Sequence, residues 1–569
     1  MNQLKPMTLA VMLALSISPA LAQTSTANPN AERESLEVLR NTTRNLIEAL
    51  VETGVLPRDK ADKLIRDAEQ KAVQTAKSNP PPAPPAAAAP ALRMESAPAV
   101  RVQYMPESVK NEIREQLRQE VLAQAKEERW ANPNVVPSWV SKVVVHGDVL
   151  VRDQFDNFAR ENTEPFGYDL WGNTTPGLTT RNAALANSGP TAGNTLHDQN
   201  RMRVRARLGF DIKASSESSA EVRIVTGSNN ARNSTSQTLG DGFNKYSLWV
   251  DRAAISYKPT PYVNMKLGRM GNPFVSSDLV WDENVNFDGL ALNLKPPVDE
   301  GFAPFATMGY FPLSTENTPK YTQGRYMMGG QLGAAMDLSV VTRARMALGY
   351  YNFRNIEGRQ ESDDCISAGA VNCYNYGSSE YPSSWRSQGN TLVRINAPSD
   401  TTLSSSSGYS IWGLASKFHP LHLNFNVDSA PFDPIHLVFS ADYVKNMAFD
   451  RGEIKTRTGA DFSDGKSTGY QFKFLVGTPS IKRLDEWNTS LTFRSLGSDA
   501  VPDAWADGAL GLGGTNMRGF ILGGAYGVAD NTTLGLRYLS GRTIDSPTMK
   551  NESDKFRVDS WQLDMNVRF

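Results

Sequence analysis

Trp561-Gln-Leu-Asp-Met-Asn-Val-Arg-Phe569 closes the chain as a strict alternation. Trp561, Leu563, Met565, Val567 and Phe569 share one face, and Gln562, Asp564, Asn566 and Arg568 share the other. Side chains along a strand alternate between its two faces, so this segment is a strand with one apolar and one polar side. A soluble sandwich would bury the apolar side and a membrane barrel would turn it to lipid; the alternation by itself fits both. Two further features favour the barrel. The strand runs to the terminal carboxylate and ends on an aromatic, and the same pattern returns from Ser141 onward with no helical interruption.

The pattern is repeated in Arg201-Met-Arg-Val-Arg-Ala-Arg-Leu-Gly-Phe210, where Met202, Val204, Ala206, Leu208 and Phe210 alternate with Arg201, Arg203, Arg205 and Arg207. Four guanidiniums about 6.8 Å apart on one strand face need water or counter-ions around them. That places them outside a soluble sheet or inside a wide barrel.

The connections discriminate better. Strands are expected near 142–152, 199–213, 219–228, 246–258, 262–270, 287–295, 302–311, 326–338, 343–353, 409–427, 435–447, 468–477, 487–496, 516–527, 532–540 and 557–569. The links alternate between long stretches, such as 153–198, 271–286 and 354–408, and short ones, such as 214–218, 259–261 and 339–342. Long loops at one end and tight turns at the other are the asymmetry of an outer-membrane barrel. The expected fold is an all-β transmembrane antiparallel barrel of sixteen strands, an even number that leaves both termini on the periplasmic, short-turn side. The stretch 409–434 has room for an extra bend.

Composition removes other classes. Among 569 residues, 59 Lys+Arg against 60 Asp+Glu leave a net charge of −1, without the basic surplus of a nucleic-acid binder. Beyond the extreme N-terminus no apolar run approaches the ~18 residues of a spanning helix, which excludes a helical transporter. Two cysteines exclude a disulfide scaffold and a Cys-rich metal protein.

Four segments precede the barrel, itself assigned to 141–569. Residues 1–22 carry Lys5, an apolar core and Ala20-Leu21-Ala22, the pattern of a secretory signal peptide cleaved after Ala22. Residues 23–78 read as a helical hairpin, with apolar stripes around Leu36–Leu50 and Leu64–Ala72 punctuated by Gly54 and Pro57. Residues 79–105 form a Pro/Ala-rich spacer. In 106–130, Val109, Ile113, Leu117 and Val121 make a narrow stripe on a charged helix, read as a short coiled coil or, alternatively, a helix docked on the barrel rim.

This layout, ending in Phe569, resembles the proteobacterial putative porin family, outer-membrane porins with an N-terminal periplasmic coiled-coil extension. Met270-Gly-Asn-Pro273 and Trp281-Asp-Glu-Asn-Val-Asn-Phe-Asp-Gly-Leu290 are also similar to the family's segment between the fifth and sixth strands. The resemblance implies homotrimers in outer-membrane lipid and passive diffusion of small polar solutes. It also implies that Trp561, Leu563, Met565, Val567 and Phe569 act as the signal read by the barrel-assembly machinery. In general porins the third external loop folds into the lumen opposite a basic cluster. Here that loop, Gly271–Asn286, carries Asp278, Asp282 and Glu283. The facing cations would be Arg201, Arg203, Arg205 and Arg207 on the second strand, Arg223 on the third, and Arg343 and Arg345 on the ninth, across the lumen. An excess of guanidinium would favour anions and dicarboxylates, because Arg forks onto carboxylates bidentately. In the alternative reading the arginines solvate the wall and neutralise neighbours such as Asp148, Asp211 and Glu221.

Other functions have weaker support. No Gly-x-Ser-x-Gly elbow occurs, His419 and His422 are splayed across a strand, and Gly459–Ser467 has the wrong glycine spacing for a phosphate loop. Neither an enzyme, a metal site nor a cofactor is expected. Cys365 and Cys373, in the 354–408 loop, would form a local disulfide in an oxidising compartment. The hairpin's charged face could touch peptidoglycan or merely cap a trimer. The runner-up function is a non-conducting barrel acting as a structural or surface-interaction protein, its lumen filled by loops.

Overall fold

The computed structural model describes Val140 to Phe569, except 164–178, 181–193, 230, 298–300, 315–323, 361–378, 383, 396–410, 460–465 and 548–551. The signal peptide, hairpin, spacer, coiled coil and both cysteines lie outside the described residues.

Sixteen strands form the wall: β1 (Val143–Phe158), β2 (Gln199–Lys213), β3 (Ser218–Val225), β4 (Trp249–Thr260), β5 (Val263–Gly271), β6 (Asn286–Leu294), β7 (Phe302–Ser314), β8 (Arg325–Ser339), β9 (Thr342–Arg354), β10 (Pro420–Phe432), β11 (Ile435–Asn446), β12 (Thr468–Gly477), β13 (Trp487–Leu496), β14 (Met517–Ala529), β15 (Thr532–Thr543) and β16 (Arg557–Arg568). Each is antiparallel to its sequence neighbours, and β1 pairs with both β2 and β16, so the sheet closes on itself. Closure satisfies the backbone of every strand and leaves no edge, the condition for crossing lipid with strands. Among the described residues no helix is long and apolar enough to span a membrane.

The polarity of the wall is that of a membrane barrel, with apolar residues outside. On β16 Trp561, Leu563, Met565 and Val567 are exposed on the outer face, whereas Gln562 is 2% exposed and points inward. On β12 Tyr470, Phe472 and Phe474 are exposed and Gln471 is buried. Exposed aromatics gather near both ends of the strands: Trp249, Tyr350, Tyr443, Tyr470 and Trp561 toward the long loops, and Tyr257, Phe432, Trp487, Tyr526 and Phe569 toward the short turns. Such girdles sit at the two membrane–water boundaries.

One strand begins later than its sequence suggests. Instead of running from 409, β10 starts at Pro420, and Trp412–Leu414 pairs with Leu392–Arg394 in a small sheet outside the wall. Both segments are apolar in a way that satisfies a strand pattern, but they bury their side chains against other loops. The first strand is longer than expected, extending to Phe158 and pairing with β16 along that added length.

Candidate functional site

The long loops turn into the barrel. In the loop between β5 and β6, Phe274 meets Phe287, Phe311 and Tyr351 edge-on at 6.0, 5.9 and 5.1 Å. Gln331 on β8 clamps the same loop, donating from Nε2 to the Val275 carbonyl at 2.7 Å and accepting from the Val275 amide at 2.8 Å. Trp281 packs on Phe287 and Tyr351 at 4.8 and 5.3 Å. The loop between β13 and β14 completes this packing: Trp505 stacks on Phe353 at 5.4 Å, and the Asp282 amide donates to the Trp505 carbonyl at 2.9 Å. The Gly508 amide donates to Asp282 Oδ2 at 3.0 Å. The loop between β9 and β10 joins through Tyr381, whose hydroxyl donates to Asp503 at 2.6 Å, and Asn390, whose Nδ2 donates to the carbonyls of Ser498 and Val501 at 2.6 and 2.9 Å. The result is an aromatic partition against β5–β9, where Met270, Phe287, Phe311, Met327, Tyr351 and Phe353 turn buried apolar side chains inward.

Beside that partition lies a polar cavity of about 750 Å³. Its cations are Arg152, the β2 row of Arg201, Arg203, Arg205 and Arg207, and Lys473, Arg494, Arg537 and Arg568. Its acids are Asp278, Asp282, Glu283, Asp507 and Asp564, which the cations outnumber. Much of the charge is neutralised in the wall. Arg152 forks onto Asp564 with two bonds of 2.7 Å. Arg205 and Arg207 share Asp148, at 2.8 and 2.6 Å, and Arg201 binds Asp156. Arg494 binds Asp507 and donates to Gln471 Oε1 at 2.6 Å. Arg203 differs: its Nη2 donates to the Ser234 hydroxyl at 3.1 Å, its Nε has no partner among the described residues, and the charges acting on it are Arg201, Arg152 and the Asp156 that Arg201 binds. Glu283 exerts a direct coulombic pull on Arg205, which puts the loop's acid within reach of the row.

Burial also acts on the loop carboxyls. Asp282 is 6% exposed; burial and the neighbouring Asp507 push its carboxyl up to about 7, against the amides of Asn284 and Gly508 that favour its charged form. Burial raises Asp503 to about 6, opposed by the hydrogen bond from Tyr381 and the charge of Arg386. On Asp507 burial acts upward as well, but Arg494 and the Leu510 amide hold it below the usual carboxylate range.

The structure thus brings together the β2 arginines and Asp278, Asp282 and Glu283. Arg223 is spent in the wall on Asp251, which also accepts from Asn286 at 2.7 Å. Arg343 and Arg345 do not line this cavity; both are exposed next to the β8–β9 turn, where Arg343 lies 3.6 Å from Asp337. The reason is their height on β9: residues further along that strand, Tyr351 and Phe353, are the ones that reach the partition. Of the acids expected to balance these arginines, Asp148 takes Arg205 and Arg207, whereas Glu221 pairs with Arg252 and Asp211 lies 3.7 Å from His146. His422 is buried with Nε2 3.0 Å from Asp442. Sequence reasoning missed Lys473, Arg494, Arg537 and Asp507. A signal for Asp507 was available in the run Ala500-Val-Pro-Asp-Ala-Trp-Ala506, too apolar for a solvated loop.

The family described as "Putative porin" matches residues 40–569. Among solved structures, the outer membrane channel DcaP of Acinetobacter baumannii is similar at 10% identity, covering 75% of this chain and 97% of that one with a TM-score of 0.37. OprB of Pseudomonas putida is similar at 11% identity, covering 76% and 95% with a TM-score of 0.40. No curated protein matches the chain.

Proposed function

The chain belongs to the putative porin family, and from that premise we propose that its barrel passes small polar solutes, anions and dicarboxylates preferentially, by diffusion through the cavity beside the aromatic partition. The observation that carries this reading is the surplus of cations over acids on one water-accessible wall, where Arg203 forms no ion pair with a carboxylate among the described residues. A fixed positive potential raises the local concentration of anions and lowers that of cations. Asp278, Asp282 and Glu283 on the loop side set a transverse field that orients dipolar solutes. The mechanism uses no cofactor.

On the same reading, the long loops face outward and the segments ahead of the barrel lie in the periplasm. There 1–22 is removed after Ala22, and 106–130 joins three copies. The alternation from Trp561 to Phe569 serves the assembly machinery, and the charged hairpin is the segment that would touch peptidoglycan.

The test is planar-bilayer recording of the purified mature protein under a salt gradient. Conductance steps in threes with an anion-biased reversal potential are expected. Clear cation preference would sink the selectivity. The loop partition favours one competing reading, a non-conducting surface barrel, and silence from folded, heat-modifiable protein would establish that reading instead.

A further inference from the structure

Three arginines stand side by side on the outside of the barrel. Arg518 on β14 is opposite Arg542 on β15, and Arg542 is opposite Arg557 on β16. All three are exposed. Their strand face is the lipid-facing one: two residues along it come Phe520, Ser540 and Asp559, and then Leu522, Tyr538 and Trp561. Tyr538 packs between Phe520 and Trp561 with ring centroids 5.8 and 4.6 Å apart. The row therefore lies at the long-loop end of the strands, next to the aromatic cluster that marks the membrane–water boundary.

Like charges directly opposite on neighbouring strands destabilise a sheet, and elsewhere the outer wall avoids this. Arg269 on β5 is opposite Asp288 on β6, and the two form an ion pair of 2.9 Å. In the row, Arg557 reaches Asp559 at 3.1 Å. Arg518 and Arg542 have no ion-pair partner among the described residues. They open into a cavity of about 530 Å³ that also takes in Lys555. Of the four carboxylates that also line it, Asp545 lies 3.9 Å from Lys466, Asp554 is half-buried, and Glu161 and Glu552 are exposed to solvent.

We propose that this row binds the phosphate-bearing headgroup of an anionic lipid in the external leaflet. A phosphate has the charge and the oxygen geometry that guanidinium forks recognise bidentately, and a lipid headgroup stands at the level of the row while its acyl chains lie along Phe520, Tyr538 and Trp561. The inference rests on the outer-membrane placement with long loops outward. It does not depend on conduction, because the row is outside the lumen.

The experiment titrates the folded, full mature protein in uncharged detergent with diphosphoryl lipid A, read by native mass spectrometry. Saturable binding is expected, with no binding of phosphatidylcholine. Arg518→Gln/Arg542→Gln should weaken it roughly twenty-five-fold, about fivefold for each cation withdrawn from an anionic lipid, and Arg269→Gln should leave it unchanged. Arg518→Lys/Arg542→Lys, which keeps the charge and loses the fork, should fall between and serves if the glutamine variant does not fold. Unchanged binding in these variants would overturn the proposal, as would displacement of the lipid by an equal concentration of inorganic phosphate. Loss of the oligomer with lipid binding intact would overturn it too, by assigning the row to contact between copies. Single-channel conductance of the double variant should match the parent, so a silent barrel that still binds lipid would fail the pore reading and leave this one standing.

Discussion

Arg203 and Arg207 sit four residues apart on one strand face, yet Asp148 neutralises Arg207 at 2.6 Å and no carboxylate among the described residues forms an ion pair with Arg203. A unit charge acting across about 7 Å of water is worth about 0.6 kcal/mol, close to RT. Arg203→Gln should therefore lower the anion-to-cation permeability ratio roughly sevenfold, because the lost charge acts on anion and cation with opposite sign, and Arg207→Gln should change it less, because it removes a charge already balanced. Reversal potentials of the two variants check this; equal shifts would mean that the wall pairs do not screen. Asp282 gives the pore a pH dependence. Its carboxyl is pushed up to about 7 by burial and Asp507, so lowering the pH from 8 to 6 removes a negative charge from the loop side and anion preference should rise. The same raised value means the folded loop binds a proton the unfolded chain does not bind until near 4. Packing of the loop is then stabilised as pH falls through 7 toward 4, and loses that contribution as pH rises. Asp282→Asn should reduce the change in reversal potential between pH 8 and 6, leaving the part carried by Asp278, whose carboxyl burial also raises.

The elements that shape the pore are loops, not strands. Trp281 is 5% exposed and touches Phe287, Tyr351, Phe353 and Trp505, which belong to two strands and a second loop. Trp281→Ala should cost about 3–5 kcal/mol, as for other buried Trp truncations. The loss should fall on the partition more than on the wall, whose ladder bonds are untouched. Larger and noisier single-channel conductance is expected, with heat-modifiable mobility retained; conductance equal to the parent would show that the loop stays in place without its Trp. The loop's inward turn was legible through resemblance and through its acids. The inward turn of its partner between β13 and β14 was not legible, because strand period two stops at Leu496 and an irregular loop has no period to reveal which way its apolar residues face.

At the scale of the whole barrel the first and last strands make the seam. Gly147 and Phe569 exchange backbone hydrogen bonds of 2.9 and 3.1 Å. A Cβ at Gly147 would stand 2.7 Å from the Phe569 ring and 2.3 Å from the Arg207 carbonyl, and the carbonyl cannot swing aside. Gly147→Ala should lower the fraction of heat-modifiable, folded barrel after refolding, while Gly330→Ala, whose Cβ would meet nothing within 4 Å, should not. Equal yields would mean that the seam tolerates a shift of β1 against β16.

Read alone, the chain determined that it is a barrel. Period-two alternation recurs along the chain, and long and short links alternate strictly, so the sixteen strands, their order and the inward turn of the arginines follow from side-chain geometry that every residue obeys locally. The register of β10 did not follow, because Trp412–Leu414 has strand character and only its pairing with Leu392–Arg394 shows where it belongs. Nor did the division of the lumen, or the choice of which guanidinium lacks a carboxylate. Those depend on residues distant in sequence arriving at one height on the wall, as Asp148 and Arg207 do, or Asp282 and Gly508. Period fixes which way a side chain points; only strand stagger and loop packing fix what it meets there.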